Sequence, residues 1–397
     1  MTIPSTSSSQ FNPLAAVLIN RNAKQVTKKI TADFQEFARK QKRVEFRVFE
    51  SGSLEELEEI IQKEIVQQHA ALVGAVGGDG SLYQIWNRTY NTASGAGQRM
   101  PAFALFGCGT GNALAGLVGS QKYRVVLERL GEQLKKKKDF SHLPLEEYPL
   151  IRMEGETSAG ECKGPFYFTF AGSGLDAEVL NMYNNFKEKQ GKHWWSEGLL
   201  GYAVAGFRTM YWQAKKEDFH LAIKVHADHY DRIHPHEPKR VEIPITSEED
   251  ILKDEKEVHA VIVGTSPQYG FGFKAFPFAP WAGDCNGGKF HVRVVAGPRG
   301  EVIDNILSHL LDWHRLVTPW RKGTSLWKGN YLSPYIQEYF LDDFTLEYQG
   351  AGSGISTQIA GEYLGEFRKI HYQKASEKLR LYNAKPQPWR MWKRKKE

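Results

Sequence analysis

Hydrophobic positions change their period along the chain. LAAVLIN at 14–20 is a continuous apolar run of strand length, and Val26, Ile30, Phe34 and Phe37 then recur at the spacing of one helix face. VEFRVFE at 44–50 alternates as a strand does. Ser51 or Ser53 can cap the helix that LEELEEIIQKEIVQQH predicts, and acidic residues fill its first turn. HAALVGAV reads as a buried strand, LYQIWNRTY as a helix and PAFALFG as the next strand. A further helix ends in the run Lys135–Lys138, where cations suit a helix C-terminus. After a patternless lead at 1–12, this alternation predicts an α/β domain over 13–143 with a parallel, doubly wound sheet.

Near His142 the character changes. FYFTFAGSGLDAEV, DFHLAIKVHA, VHAVIVG, KFHVRVV and FTLEYQ are strand-like and aromatic, and one helical stretch, SEGLLGYAVAGFRTMYWQ, interrupts them. Residues 144–375 are therefore expected to form a β-rich, β-sandwich-like second domain, followed by a basic tail at 376–397. Residues 226–257 are hydrophilic and read as a surface loop. Its histidines at 226, 229, 234 and 236 invite a metal reading, but without cysteines or a helical i,i+4 pair a solvated loop is the expectation. Within 192–212, Leu199, Tyr202, Ala203 and Gly206 share one helix face, as a core stripe or a lipid-chain wall would. Trp194 and Trp195 suit a membrane interface. Trp389 and Trp392 stand among five basic residues, a pattern of a solvated terminus or of an anionic bilayer contact.

The 397 residues suit two domains, and 41% hydrophobic with 25% charged content is that of a globular protein. A net charge of +6 fits phosphate-bearing ligands or an anionic membrane surface, and no nucleic-acid recognition motif accompanies it. Cys108, Cys162 and Cys285 are sparse and odd in number, which fits a reducing compartment such as the cytoplasm. No secretory signal is predicted, and LLGYAVAGF at 199–207 falls short of the roughly 20 residues a span needs. The expectation is a cytoplasmic protein able to sit on a membrane, not cross it.

Two glycine corners carry the candidate chemistry. In GGDGS, Gly77, Gly78 and Gly80 permit positive φ and leave backbone N–H groups bare before a helix, and Ser81 adds a hydroxyl donor. A tight turn with nothing bound is the plain alternative. Asp79 is out of place in a pure phosphate cradle, because phosphates repel a carboxylate. It makes sense beside a cation, as a proton acceptor, or as a helix N-cap. GCGTGNALAG at 107–116 repeats the pattern with Gly109, Thr110, Gly111 and Asn112. Two such corners on successive strands are more specific than one, and in doubly wound sheets ligands bind where both fall, beyond the carboxyl ends of the strands. No GxxxxGK[ST] loop is present, nor the HRD and DFG segments of protein kinases.

GGDGS followed by GTGNALA resembles the diacylglycerol kinase catalytic-domain family, which includes sphingosine (long-chain base) kinases; the Asn-Ala-Leu-Ala ending is closer in wording to the latter. The resemblance runs in order through LINRNA at 18–23, GSGLDAEV at 172–179, APWAGDCNGG at 279–288 and AGEYLGE at 360–366. It implies a kinase using ATP and Mg²⁺ on a lipid hydroxyl, that of a sphingoid base or a diacylglycerol-like lipid. The nucleotide would lie across the two corners, between the domains, with Asn20 and Glu362 beside it. Asp176 would bind the substrate's hydroxyl end or act as base, with Asp79 its rival for that role. Asp79 and Asp284 are the candidate metal ligands.

Departures from the family pattern fall at informative places. Arg21 follows Asn20 where the family has proline, Ala360 replaces the aspartate of Asp-Gly-Glu, and Asn286 stands at an aspartate position with Asp284 two residues earlier. They motivate a second reading, a non-catalytic lipid- or nucleotide-binding protein on the same fold. An NAD kinase shares GGDG, but the Asn-Glu pair and Thr-Gly-Ser-Thr-Ala-Tyr stretch expected of it are missing.

Overall fold

A computed structural model describes residues 13–23, 26–42, 44–108, 113–120, 122–137, 140–190, 205–206, 209, 221–233, 239–245, 250–252, 257–269, 275–285, 287–298 and 335–385. The chain divides into two units, one comprising residues up to Glu147 together with those from Arg380 onward, the other Tyr148–Leu379.

The first unit is the expected α/β domain. Strands β1 (Leu14–Asn20), β2 (Glu45–Ser51), β3 (Leu72–Gly77) and β4 (Ala102–Gly107) alternate with helices α1 (Lys28–Lys40), α2 (Leu54–Ile60), α3 (Asp79–Gly95), α4 (Ala113–Leu117) and α5 (Tyr123–Lys137). The strands pair in parallel in the order β2-β1-β3-β4. Leu14–Ile19, Leu72–Gly77 and Ala102–Gly107 are buried throughout, which explains their unbroken apolar runs: helices cover both faces of a parallel sheet. Ala15, Val17 and Ile19 pack with Ile30 and Phe34 of α1 and with Val126, Leu130 and Leu134 of α5, and Phe34 meets Phe106 edge-on at 4.9 Å. Ser53 caps α2, accepting the Glu56 N–H, and a π-helical stretch, Ile61–Val66, continues it.

This unit also takes in the end of a long strand from the C-terminal region. The strand Lys369–Tyr382 runs through position 376, where the sequence pattern places the start of the tail, and Leu381 pairs in parallel with Phe103 of β4. Tyr382 and Ala384 are buried in the core of the first unit, and the Ala384 N–H donates to the Val118 carbonyl at 2.8 Å.

The second unit is rich in antiparallel strands. They are β5 (Leu145–Glu156), β6 (Cys162–Phe168), β7 (Phe170–Gly174), β8 (Leu221–Val225), β9 (His229–Ile233), β10 (Arg240–Pro244), β11 (Val258–Gly264), β12 (Phe290–Ala296), β13 (Ile336–Leu341), β14 (Asp343–Tyr348), β15 (Ile355–Ile359), β16 (Glu362–Phe367) and β17 (Lys369–Tyr382). One sheet has the order β10-β9-β13-β12-β11-β7-β15-β16. Facing it, β14 pairs with β8 and β17, and β5 pairs with β6. Phe290 packs on Phe344 at 6.0 Å, and the Tyr372 hydroxyl hydrogen-bonds Ser173 at 3.1 Å, so aromatic rings and hydroxyls join the two layers.

Two expectations are corrected here. The segment read as strand through Val179 turns into helix α6 (Leu175–Gln190) after Gly174. Its apolar residues Val179, Leu180 and Tyr183 pack with Ala205, a periodicity masked in the sequence by the preceding aromatic strand. The hydrophilic segment 226–257 is not one loop, because it contains strand β9, which lies between β10 and β13, and the edge strand β10, whose polar residues are those of a solvated sheet margin. Of the helix expected at 196–213, the described residues are Ala205, Gly206 and Thr209, all helical; Trp194, Trp195, Leu199, Tyr202 and Ala203 lie outside the described residues, as do Trp389 and Trp392. Among the described residues no helix is long and apolar enough to cross a membrane.

The most demanding polar group in the core is Glu338 on β13. It receives Arg293 at 2.6 Å and the Nε2–H of fully buried His291 at 2.6 Å. Burial alone would raise the Glu338 carboxyl, but the charge of Arg293 and the His291 bond hold it down to about 2. Burial pushes His291 the other way from a charged state, below its ordinary value, so the ring is neutral with its proton on Nε2. Both groups thus favour folding above their ordinary values and withdraw that support as pH falls, His291 first and Glu338 between pH 4.5 and about 2. Glu338→Gln is expected to cost about 3 kcal/mol at neutral pH by leaving Arg293 without its charge partner. It should also flatten the acid limb of stability below pH 4.5, as measured by urea unfolding across pH.

Candidate functional site

The first unit gathers its candidate residues at the carboxyl ends of three adjacent strands. Asn20 ends β1, Gly77 ends β3 and Gly107 ends β4, with Gly77 directly opposite Gly107 in the ladder. Asn20 donates through Nδ2 to Ser81 Oγ at 3.0 Å, and its Oδ1 accepts the Asn22 N–H at 2.9 Å. The turn after β1 is thereby tied to the first turn of α3.

The glycines serve a different purpose from the one their conformational freedom implies. None of Gly77, Gly78 and Gly80 takes a positive φ. Gly77 is required by proximity: a Cβ there would lie 2.4 Å from Ser81 Oγ. Gly78 occupies the N-cap position of α3 without a side-chain bond. The start of α3 thus carries no capping side chain from Gly78, and Asn20 and Ser81 lie beside it as neutral polar groups, a setting that suits an anion.

Asp79 is not the N-cap. It is the first residue of α3, 3% exposed, and its Oδ1 accepts the backbone N–H of Leu114 at 3.2 Å. A buried carboxylate from the first corner thus pins the helical segment that follows the second. The Cys108 N–H reinforces the link by donating to the Gly77 carbonyl at 2.8 Å. Burial pushes the Cys108 thiol up to about 11, so it stays protonated and is no nucleophile. Gly109, Thr110, Gly111 and Asn112 lie outside the described residues.

The remaining candidates belong to the second unit. Asp176 stands in the first turn of α6, not in a loop. Tyr269 and Gln358 both hold it by the same oxygen, Oδ2, the latter at 2.9 Å. Gln358 Oε1 in turn accepts the Gly361 N–H at 2.9 Å, linking Asp176 to the tip of the β15–β16 hairpin. Gly172 on β7 makes room: a Cβ there would fall 2.0 Å from Asp176 Oδ2 and 3.0 Å from the Tyr269 hydroxyl. Part of Asp176 reaches solvent, yet protein encloses its carboxyl group. Burial pushes that carboxyl up, against the lowering pull of Tyr269 and Gln358. Such a group is biased toward taking a proton. Neither Tyr269 nor Gln358 was singled out from sequence; nothing in SPQYG or STQIAGE marks them, because their role depends on strands folded next to α6.

Glu362 begins β16 and is exposed. Ala360 and Gly361, with φ of 50° and 84°, form the two-residue turn between Ile359 and Glu362. Positive φ at both positions is what Asp-Gly or Asn-Gly supplies without penalty in such hairpins. Ala360 keeps the turn at a conformational cost. Asp284 is exposed and follows helix α7 (Ala279–Gly283), its N–H donating to the Pro280 carbonyl, and Asn286 lies outside the described residues. Among the described residues, the group of three metal-capable side chains includes neither Asp79 nor Asp284. Magnesium takes oxygen ligands, so the carboxylate of Asp79 has the right donor chemistry for it; exposed Asp284 has no supporting set of described residues around it.

Tyr269→Phe removes one of the two donors to Asp176 and is expected to move its titration to higher pH, read from the carboxyl carbon resonance. An unmoved titration would place the control of Asp176 elsewhere. Ala360→Gly relieves a left-handed conformation worth roughly 1–2 kcal/mol in an L-residue. It also adds unfolded-chain freedom of about 0.4–1 kcal/mol. A net gain of about 0–1.6 kcal/mol is expected, seen as a higher urea midpoint at unchanged slope.

Residues 14–142 match the family of the diacylglycerol kinase catalytic domain. None of the curated proteins compared matches the chain. Among solved structures, a diacylglycerol kinase from Bacillus anthracis str. Sterne is similar at 10% identity and a TM-score of 0.47, covering 96% of this chain and 99% of that one. A candidate diacylglycerol kinase from the same organism is similar at 13% identity and a TM-score of 0.50, covering 94% and 98%. An NAD kinase from Archaeoglobus fulgidus in complex with ATP is similar at 11% identity and 0.39, covering 94% of each chain. At 13% identity and a TM-score of 0.50, the likeness to the second of these is one of fold. The first glycine corner, and the bond from Asp79 to Leu114, lie inside the segment that matches the diacylglycerol kinase catalytic domain.

Proposed function

We propose that the chain is an ATP-dependent lipid kinase that phosphorylates a hydroxyl of a sphingoid base or a diacylglycerol-like lipid. The observation that carries this reading is the Asp79–Leu114 bond, which fixes two phosphate-suited corners together in a domain of the diacylglycerol kinase catalytic type. Backbone N–H groups at the start of α3 and the hydroxyl of Ser81, held by Asn20, would bind the nucleotide phosphates. Magnesium, bound with ATP, would supply positive charge against that developing on the transferred phosphoryl group. Asp79 would stand beside that ion while holding the second corner. Glu362, exposed at the hairpin end, would contribute to nucleotide binding.

Asp176 would accept a hydrogen bond from the acceptor hydroxyl and then its proton. Its raised affinity for protons and its fixed orientation suit that role. Phosphoryl transfer of this kind relies on positioning and electrostatics more than on covalent chemistry, so losing either carboxylate should be costly. We further propose that the protein works in the cytoplasm as a peripheral membrane protein. Support for this comes from the tryptophans and cations of the tail and the net positive charge.

The test is transfer of γ-labelled phosphate from ATP to sphingosine, diacylglycerol, monoacylglycerol and ceramide in mixed micelles, with NAD as a further acceptor. Label is expected in a lipid. Asp79→Ala and Asp176→Asn should each lower turnover on the best acceptor by at least about 100-fold. Undiminished turnover in Asp79→Ala would sink the assignment. Label in NAD alone would move the protein to the NAD kinase reading, and ATP binding without transfer would make it a non-catalytic member.

A further inference from the structure

The second unit places three metal-capable side chains together on one face of the β8–β14–β17 strands. The ligand atoms of His226, Asp343 and His371 all lie within 4.8 Å of one another. Their convergence follows from sheet register. Asp343 and Thr345 project from the same face of β14, two residues apart. His371 lies opposite Thr345 on β17, and Gln373 lies opposite Asp343. On the other side, Phe344 pairs with Val225 of β8, so the next residue, His226, comes beside Asp343; its N–H donates to the Asp343 carbonyl at 3.1 Å. Residues separated by more than a hundred positions in sequence thus become direct and diagonal neighbours.

We propose that His226, Asp343 and His371 bind a divalent transition-metal ion of the zinc class. Two imidazoles and one carboxylate form a borderline nitrogen-oxygen donor set, which favours zinc and its neighbours over magnesium or calcium, whose sites are built from oxygen. The site is therefore separate in chemistry from any magnesium that accompanies ATP, and it does not depend on the kinase reading. The His371–Asp343 pair is near the separation such an ion needs. Zinc bonds of about 2.0–2.1 Å in a tetrahedron put neighbouring donors about 3.3 Å apart. His371 Nε2 and Asp343 Oδ1 are now 2.7 Å apart, joined by a hydrogen bond. Replacing that shared proton by the metal requires a sub-ångström separation of the two.

Outer contacts orient the ligands in advance. Gln373 donates to the far oxygen of Asp343, Oδ2, at 3.1 Å, leaving Oδ1 directed at His371. Thr345 Oγ1 meets His226 Nε2 at 2.7 Å, and the two imidazoles meet edge-to-face at 5.7 Å. Bonds of this kind, from a ligand's other atom to a neighbouring polar group, fix ring and carboxylate orientation in metal sites. His226 is exposed, so an ion can reach the site from solvent and water can complete its coordination. The ion would tie three strands of the sheet together at one point.

The experiment is titration of the untagged, chelator-stripped full chain with zinc chloride, against a competing chromophoric chelator. One zinc per chain is expected, with a melting temperature that rises with zinc concentration. His226→Ala/His371→Ala should lose that site, lowering zinc affinity at least tenfold, whereas His229→Ala should not. Zinc X-ray absorption of the wild-type chain should show two imidazole nitrogens in the coordination shell, a readout independent of how well any variant folds. No stoichiometric zinc binding by the wild type, undiminished binding by the double variant, or fewer than two imidazoles at the metal would each overturn the proposal.

Discussion

A buried carboxylate has to be satisfied, and the first unit is arranged around the one that is Asp79. Taking a carboxyl group out of water is tolerated only when hydrogen bonds compensate it. Here the compensation includes the backbone N–H of Leu114, which comes from the corner on the neighbouring strand. The same bond therefore solves two problems. It supports Asp79 at 3% exposure, and it fixes where α4 begins relative to α3. Gly77 is part of the same constraint, since only a residue without Cβ lets the first turn of α3 come so close to the strand end.

The second unit applies the same logic twice. Asp176 is held by Tyr269 and Gln358, and Gln358 also holds the hairpin tip at Gly361, so the carboxylate and the turn share one amide as their common support. Glu338 is held by Arg293 and His291 between aromatic rings of Phe276, Phe278 and Phe340, which keep water away from the imidazole. The two carboxyl groups differ in outcome because of charge. A guanidinium at Glu338 overrides burial and keeps the proton off. Neutral donors at Asp176 do not, and burial wins.

Departures from the family pattern take on specific meanings in this setting. Ala360 is a turn residue at positive φ, so the aspartate expected there would sit in a conformation it tolerates better than alanine does. Arg21, where proline is expected, pairs with Glu56 of α2 at 2.8 Å on the surface, and the Arg21 N–H donates to the Ser51 carbonyl. A proline has no N–H to give to that bond. The substitution is thus absorbed by local hydrogen bonding at the end of β1.

Local pattern was enough for the parallel domain, because a sheet covered on both faces writes unbroken apolar runs and its crossover helices write a 3.6-residue period. It also placed the first glycine corner between a strand and a helix, where β3 gives way to α3. The helix at 175–190 and the strands at 229–233 and 240–244 were not legible, since an aromatic strand masked the start of the first and polar residues dominate the other two. What only the tertiary structure decided were the partners: Leu114 for Asp79, Tyr269 and Gln358 for Asp176, Asp343 and His371 for His226. The physical reason is the same in each case. A residue's period and chemistry are local and can be read in order along the chain. The atom that satisfies a buried charge or completes a ligand set is supplied by strand register, which brings together positions that no spacing along the sequence relates.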